Sequence, residues 1–435
     1  MGQQLELVAH RRADILFDNT FVSTNQTIDT GANRTVRSVS FDAPFNYTVN
    51  NNTLTFDNQG VAGFSGISVT QTRGTGNQTI NSNLALNNNI VVRNSSAGNL
   101  SLGGNIATNG KTLTFDGSGP GGTTSSGVVS GTGNVVKNDS LTATLSGNNT
   151  YTGGTTINAG RLNANSNTAF GTGAVVLNGG TLGSTTGRTI GNTVALNGSA
   201  ALDGINVGGT VTQTGGSYTL GMNAATISGI LNLSNNNTGR TLTVDATGAN
   251  TISGVIANGG TGAGSLTKNG DGSLTLSGAN TYTGATTIND GSIILGASNR
   301  ISDSSNVVIG ANGTLNLNGF SERVGNLTAS AGGATLDFGT AATNNEFLFN
   351  TYTAPASGVF VVNNLGAGDR LATTVASQNV SSIYISGQGV AQQEGSLTSS
   401  IAGYANGYKL TAISETYKEW DGLGGSATGG VSNWS

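Results

Sequence analysis

The stretch "LTLSGANTYTGATTINDG" at residues 274–291 occurs a second time, barely altered, as "ATLSGNNTYTGGTTINAG" at residues 143–160. With Thr144 set against Thr275, positions 144–160 and 275–291 are identical at 14 of 17 places without a gap. Asp290 is the only carboxylate in either copy, and neither holds a histidine, lysine or arginine. A string this poor in ionisable groups is not a catalytic motif written twice. The likeness extends outward: Lys137-Asn138 aligns with Lys268-Asn269 upstream, and "GRTIGNTV" faces "SERVGNLT" downstream after small insertions. The repeating unit is therefore long, a block of about six coils if each coil takes roughly 20 residues.

Around the second copy, short aliphatic alternations (Leu274 and Leu276, Ile288, Ile293 and Leu295, Val307 and Ile309, Leu315 and Leu317) are separated by Gly, Asn and Asp turns. Alternation over three to five residues reads as strand, and helical periodicity is nearly missing. The chain is all-β, and its spacing predicts a parallel β-helix (solenoid) with three strands per coil. Stacking at about 4.8 Å places inward aliphatics in columns, while Thr, Ser and Asn bond along the turns. Leu145, Ile157, Leu276, Ile288, Leu315 and Leu317 are the expected core columns, and Thr275, between two inward leucines, is expected to point outward.

Composition agrees with this architecture. Of 435 residues, 70 are glycine, which suits bends between sheets, and only three are proline, which cannot donate to a neighbouring coil. Charged residues make up 9% and the formal net charge is -4, so disorder driven by charge is excluded. With 17 basic residues scattered among 21 acidic ones there is no basic stripe, and nucleic acid is not expected as a partner. Cysteine is absent, which rules out disulfides and thiolate metal sites. No run reaches the roughly 18 apolar residues of a membrane helix, nor do regular ten-residue alternations mark a membrane barrel, so insertion by this chain is not expected. "MGQQLELVAHRRADILFDN" lacks the pattern of a signal peptide.

Two stretches carry a resemblance. "GSLTKNGDGSLTLSGANTYTGATTINDGSIILG" throughout, and "NVVKNDSLTATLSGNNTYTGGTTINAGRLNAN" in its second half, resemble the autotransporter-associated β-strand repeat, also called the passenger-associated transport repeat. The resemblance implies a right-handed parallel β-helix exported as a bacterial surface or extracellular passenger, and it supplies no catalytic residue or cofactor. Members of the family often open with a W-D-G…N-W-S segment followed by a stretch like "ADILFDNTFVSTNQTID". Here the second stretch lies at 13–29 but "EWDGLGGSATGGVSNWS" lies at 419–435.

The expected organisation is an N-terminal extension or cap over 1–12, a parallel β-helix over 13–345 with repeat motifs at 130–165 and 262–298, a capping β-module over 346–418, and the tail over 419–435. The permuted order suggests either one period of a longer tandem array or self-association head to tail, in which Trp420, Asp421, Gly422, Asn433 and Trp434 of one copy dock beside Ile15, Leu16 and Phe17 of the next. Surface glycans are the other partner class, with Tyr151 and Tyr282 as stacking candidates, although packing over the turn is the commoner fate of such residues.

No catalytic constellation is legible. His10, the single histidine, has no nucleophile or metal-ligand pattern near it. Asp18, Asp42, Asp57, Asp116 and Asp245 end strands in "ILFD", "VSFD", "LTFD", "LTFD" and "LTVD" at uneven spacings, which reads as turn capping rather than one acidic cluster. "NGDGS" at 269–273 lacks the tandem nonapeptide of a calcium site. The reading is a non-catalytic structural stalk or fibre module of an extracellular or surface protein, with an adhesin or carbohydrate-binding passenger as the alternative and a polysaccharide-degrading enzyme a remote third.

Overall fold

The structure, a computed structural model, describes residues 14–18, 24–42, 44–58, 68–340, 344–366, 368–375, 379–386, 389–397 and 407–412. They form a parallel β-solenoid of about 16 turns with three faces and no helix. The first face stacks twelve strands, from Asp14–Asp18 through Ser38–Asp42, Val135–Lys137 and Thr155–Ile157 to Ile256–Ala257. The second begins at Gln26–Asp29 and Tyr47–Asn50, and the third at Arg34–Val36 and Thr53–Phe56. Two long strands, Thr286–Leu295 and Val307–Asn316, each round a corner and serve two faces.

Alternation within each strand makes the core. In Ser273–Leu276 the two leucines are fully buried while Ser273 and Thr275 are half-buried on the outside. Leu145, Ile157, Ile288, Leu315 and Leu317 are likewise fully buried. Each stacks on its counterpart one coil away, as Ile157 does between Lys137 and Leu177, and Ile288 between Lys268 and Ile309. Stacked aromatic rings lie toward the two ends of the column. Phe17 and Phe41 have ring centroids 5.0 Å apart near one end, and Phe347, Phe349, Tyr352 and Phe360 form a chain near the other.

The solenoid runs further than the sequence indicates. Parallel pairing does not stop at 345 but continues through Glu346–Phe349, Phe360–Asn363 and Arg370–Thr373 to Ile383–Ile385. Antiparallel pairing begins only there, where Gly389–Leu397 and Gly407–Ala412 pair with each other and with the last parallel strands. The denser aromatics after 346 fill further parallel coils with a bulkier core and do not mark a change of fold there.

The step between coils varies. A short coil carries the chain from Leu196 to its partner Gln213, a longer one from Lys137 to Ile157, and the longest of the three from Val39 to Val69. Corners absorb the difference, because a strand column fixes the register of its own residues but not the length of the bend between columns.

Candidate functional site

The repeated motif builds the same corner in both copies, and its polar residues point into the stack. Asn149 is buried; its Oδ1 accepts from the Val129 amide of the coil below at 2.7 Å, and its Nδ2 donates to the Ala169 carbonyl of the coil above at 2.6 Å. Asn280 repeats this between the Ile256 amide and the Arg300 carbonyl at the same two distances. One amide side chain thus joins three coils, beside the backbone bonds from Thr150 to Val129 and from Thr281 to Ile256. Tyr151 and Tyr282 lie fully inside, each hydroxyl 2.6 Å from the Oγ1 of a buried threonine, Thr155 and Thr286. Burial pushes both phenols well above their ordinary value. Neither ring is available for stacking on a sugar.

Lys137 and Lys268 are fully buried at inward strand positions. The Lys268 Nζ donates to the carbonyls of Asn269, Gly270 and Asp290 at 2.8, 2.7 and 3.2 Å. Lys137 donates to those of Asn138, Asp139 and Ala159. Burial brings the Lys137 ammonium down to about 8, with the Asp116 and Asp139 carboxylates opposing, and lowers Lys268 in the same way against Asp290, Asp245 and Asp271. In the "NGDGS" turn, carbonyls at Asn269 and Gly270 are thus already turned to an internal ammonium. The loop closing over this group ends at Gly160 or Gly291, with φ of 67° and 63°. A Cβ there would meet a carbonyl oxygen at 2.2 or 2.3 Å, so only glycine fits.

Glu322 is also fully buried. Its carboxylate accepts from the amides of Arg300 at 2.6 Å, Ile301 at 3.2 Å and Arg323 at 3.2 Å. Burial pushes it up to about 8 despite those donors.

The other sequence candidates are dispersed. Asp57 accepts from Asn87, and Asp116 caps its own turn through the Gly117 amide while pairing with Arg93 at 2.5 Å. No group of three or more His, Cys, Asp or Glu able to hold a metal ion exists among the described residues. Ile15 and Phe17 face the core, and Leu16 between them is 61% exposed. Trp420, Asp421, Gly422, Asn433, Trp434 and His10 lie outside the described residues. Sequence reasoning missed the roles of Lys137, Lys268, Asn149 and Asn280. The available signal was alternation: a lysine two places after an inward Val135 or Leu266 must itself point inward.

Both corners coincide with matches to a family model, the passenger-associated-transport-repeat, at residues 135–164 and 266–295. The chain carries two passenger-associated transport repeats. It is also 35% identical, over 169 residues, to the "Adhesin BmaC autotransporter" of Brucella suis biovar 1 (strain 1330). That stretch is 39% of this chain and 4% of the relative. No solved structure matches the chain.

The two repeats do not face the same way. Lys137 lies on the first face, whose column runs from Val135–Lys137 to Ile256–Ala257. Lys268 lies on the second, in the column that rises from Thr142–Leu145 through Arg161–Ala164 and Thr241–Thr247. The path from Lys137 to Lys268 therefore spans six coils and one further face, not a whole number of coils. The block of about six coils expected from the sequence is thus six coils and one face, and Tyr151 and Tyr282 occupy different columns.

Proposed function

We propose that this chain is a non-catalytic, rod-like segment of a bacterial surface or extracellular passenger, in which the buried polar side chains of the repeats hold the coil stack. One observation carries this reading. The polar side chains that set the repeat apart, Lys137, Asn149 and Tyr151 with their counterparts Lys268, Asn280 and Tyr282, are consumed in bonds between or within coils. Nothing of them is left for a ligand.

Head-to-tail assembly belongs to the same proposal. The strand Asp14–Asp18 pairs on one side only among the described residues and carries the exposed Leu16, so it offers an edge for strand addition. Residues 419–435 of a second copy are the intended occupant. Electron microscopy of the purified chain with and without those residues tests it: filaments that vanish on deletion support the tail as connector, and unchanged filaments or monomeric rods in both refute it.

An adhesin is the second reading, favoured by the likeness to a protein named as one. Binding of the purified chain to cells or matrix, competed by the soluble chain itself, supports the adhesin over a stalk.

A further inference from the structure

A polar groove of about 300 Å³ opens on the corner between the second and third faces, across three successive coils at Ser146, Asn165 and Arg188. We propose that it is a binding site for a uronate residue of a polysaccharide, a sugar ring bearing one carboxylate. This goes beyond the stalk reading and does not depend on it.

The groove is held in shape by a relay of side chains. Arg188 Nε donates to Thr186 Oγ1 at 2.9 Å, Thr186 Oγ1 donates to Asn165 Oδ1 at 3.2 Å, and Asn165 Nδ2 donates to Ser146 Oγ at 3.3 Å. Ser166 Oγ in turn donates to Asn148 Oδ1 at 2.6 Å, and Asn167 Oδ1 accepts from the Thr189 amide at 3.3 Å. These bonds occupy the acceptors and fix the donors. The guanidinium Nη1 and Nη2 of Arg188, and the Nδ2 atoms of Asn148 and Asn167, make no hydrogen bond among the described residues. No carboxylate lines the groove. The site thus presents fixed donors around one unpaired cation, in a chain whose net charge is -4. A planar guanidinium with both terminal nitrogens open matches a carboxylate in bidentate fashion. Side-chain amides lining the same groove suit the hydroxyl and ring oxygens of a sugar, and the volume is at the small end of the range for ligand sites.

The second repeat shows that the scaffold does not require this groove. With the two copies aligned as above, the frame is kept: Leu145 and Leu276, Gly147 and Gly278, Asn149 and Asn280, Tyr151 and Tyr282. The lining is not. Asn148 becomes Ala279, Asn165 becomes Gly296, Ser166 becomes Ala297 and Asn167 becomes Ser298. The alignment holds through this stretch in space, since Asn149 bonds the Ala169 carbonyl as Asn280 bonds that of Arg300. There Arg188 is replaced by the buried Glu322, and the guanidinium of Arg300, which aligns with Ala169, is spent on backbone, donating from Nη1 to the Ser277 carbonyl and from Nε to that of Ser298. The same corner folds with or without the amide-rich lining, so the lining is free to serve a ligand.

The test is a calorimetric or NMR titration of the full chain with methyl β-D-glucuronide, which stands in for a chain-linked uronate. Methyl β-D-glucoside is the neutral counterpart and sulfate the bare anion. Saturable binding of the glucuronide is expected, with the glucoside and sulfate each weaker by about tenfold or more. Arg188→Gln is expected to weaken glucuronide binding by about tenfold, and the exposed double substitution Asn148→Ala/Asn167→Ala severalfold with an unchanged unfolding curve. If Arg188→Gln fails to fold, the double variant decides. Absence of saturable binding, equal binding of the glucoside or of sulfate, or full affinity in the folded variants overturns the proposal.

Discussion

Lys268 sits where an apolar residue would be expected, between Val244 and Ile288 in its column, yet its ammonium meets three carbonyls. Burying a charge is tolerable only when it is fully hydrogen-bonded, and here the amine replaces water for a turn that has turned its oxygens inward. Lys268→Met keeps the volume and removes the donors. It is expected to cost about 1–3 kcal/mol and to raise amide exchange chiefly in the coils that pack on residue 268. Glu322 is the mirror case, an acid facing three amides. Its folded value of about 8 lies above the ordinary 4.5, so the folded state holds a proton that the unfolded chain releases. Its contribution to stability is full below 4.5 and is lost as the pH rises through 8. The melting temperature should therefore fall between these limits, and Glu322→Gln should flatten that slope. An equal slope in the variant would assign the dependence elsewhere.

At the scale of the element, one strand face is worth more than the other. Leu276→Asp puts an unpaired charge in the core column and is expected to destabilise by several kcal/mol, whereas Thr275→Asp, half-buried on the outer side, should be nearly neutral; chemical denaturation compares them. The coil is the next unit. Arg161 and Thr181 are register partners one coil apart, so deleting residues 161–180 lets Thr181 take the place of Arg161 above Thr142. Such a chain should still fold, with β-sheet circular dichroism and cooperative melting retained. Deleting residues 161–170 shifts the faces against each other and should abolish cooperative melting. A full coil is replaceable because each contacts only its neighbours.

For the whole molecule, stacking decides shape. About 16 coils at about 4.8 Å make a rod of roughly 80 Å. Small-angle scattering should give an elongated pair-distance distribution, and a symmetric, globular one would contradict the fold. The repeats fall on different faces of this rod, so any surface feature attached to the corner points in a different direction in each copy.

The all-β class, the three-strand coil and the inward leucines were legible from the string alone, because a side-chain period of two is a local property and Leu274, Thr275 and Leu276 declare it by themselves. The lysine at 137 and 268 was equally legible by position, though its charge hides the fact that it points inward. Three features were not. The direction each repeat faces depends on the summed lengths of all corners between them, and these differ from coil to coil, as the short step from Leu196 to Gln213 and the long one from Leu231 to Ile256 show. The end of parallel pairing near Ile385 depends on which strand the chain meets when it turns back, not on the composition of the turn. The groove at Arg188 gathers residues from three coils whose sequence separation, 146 to 165 to 188, means nothing until the coils are stacked. Local alternation fixes what faces inward; only the accumulated winding of the chain decides what stands beside what.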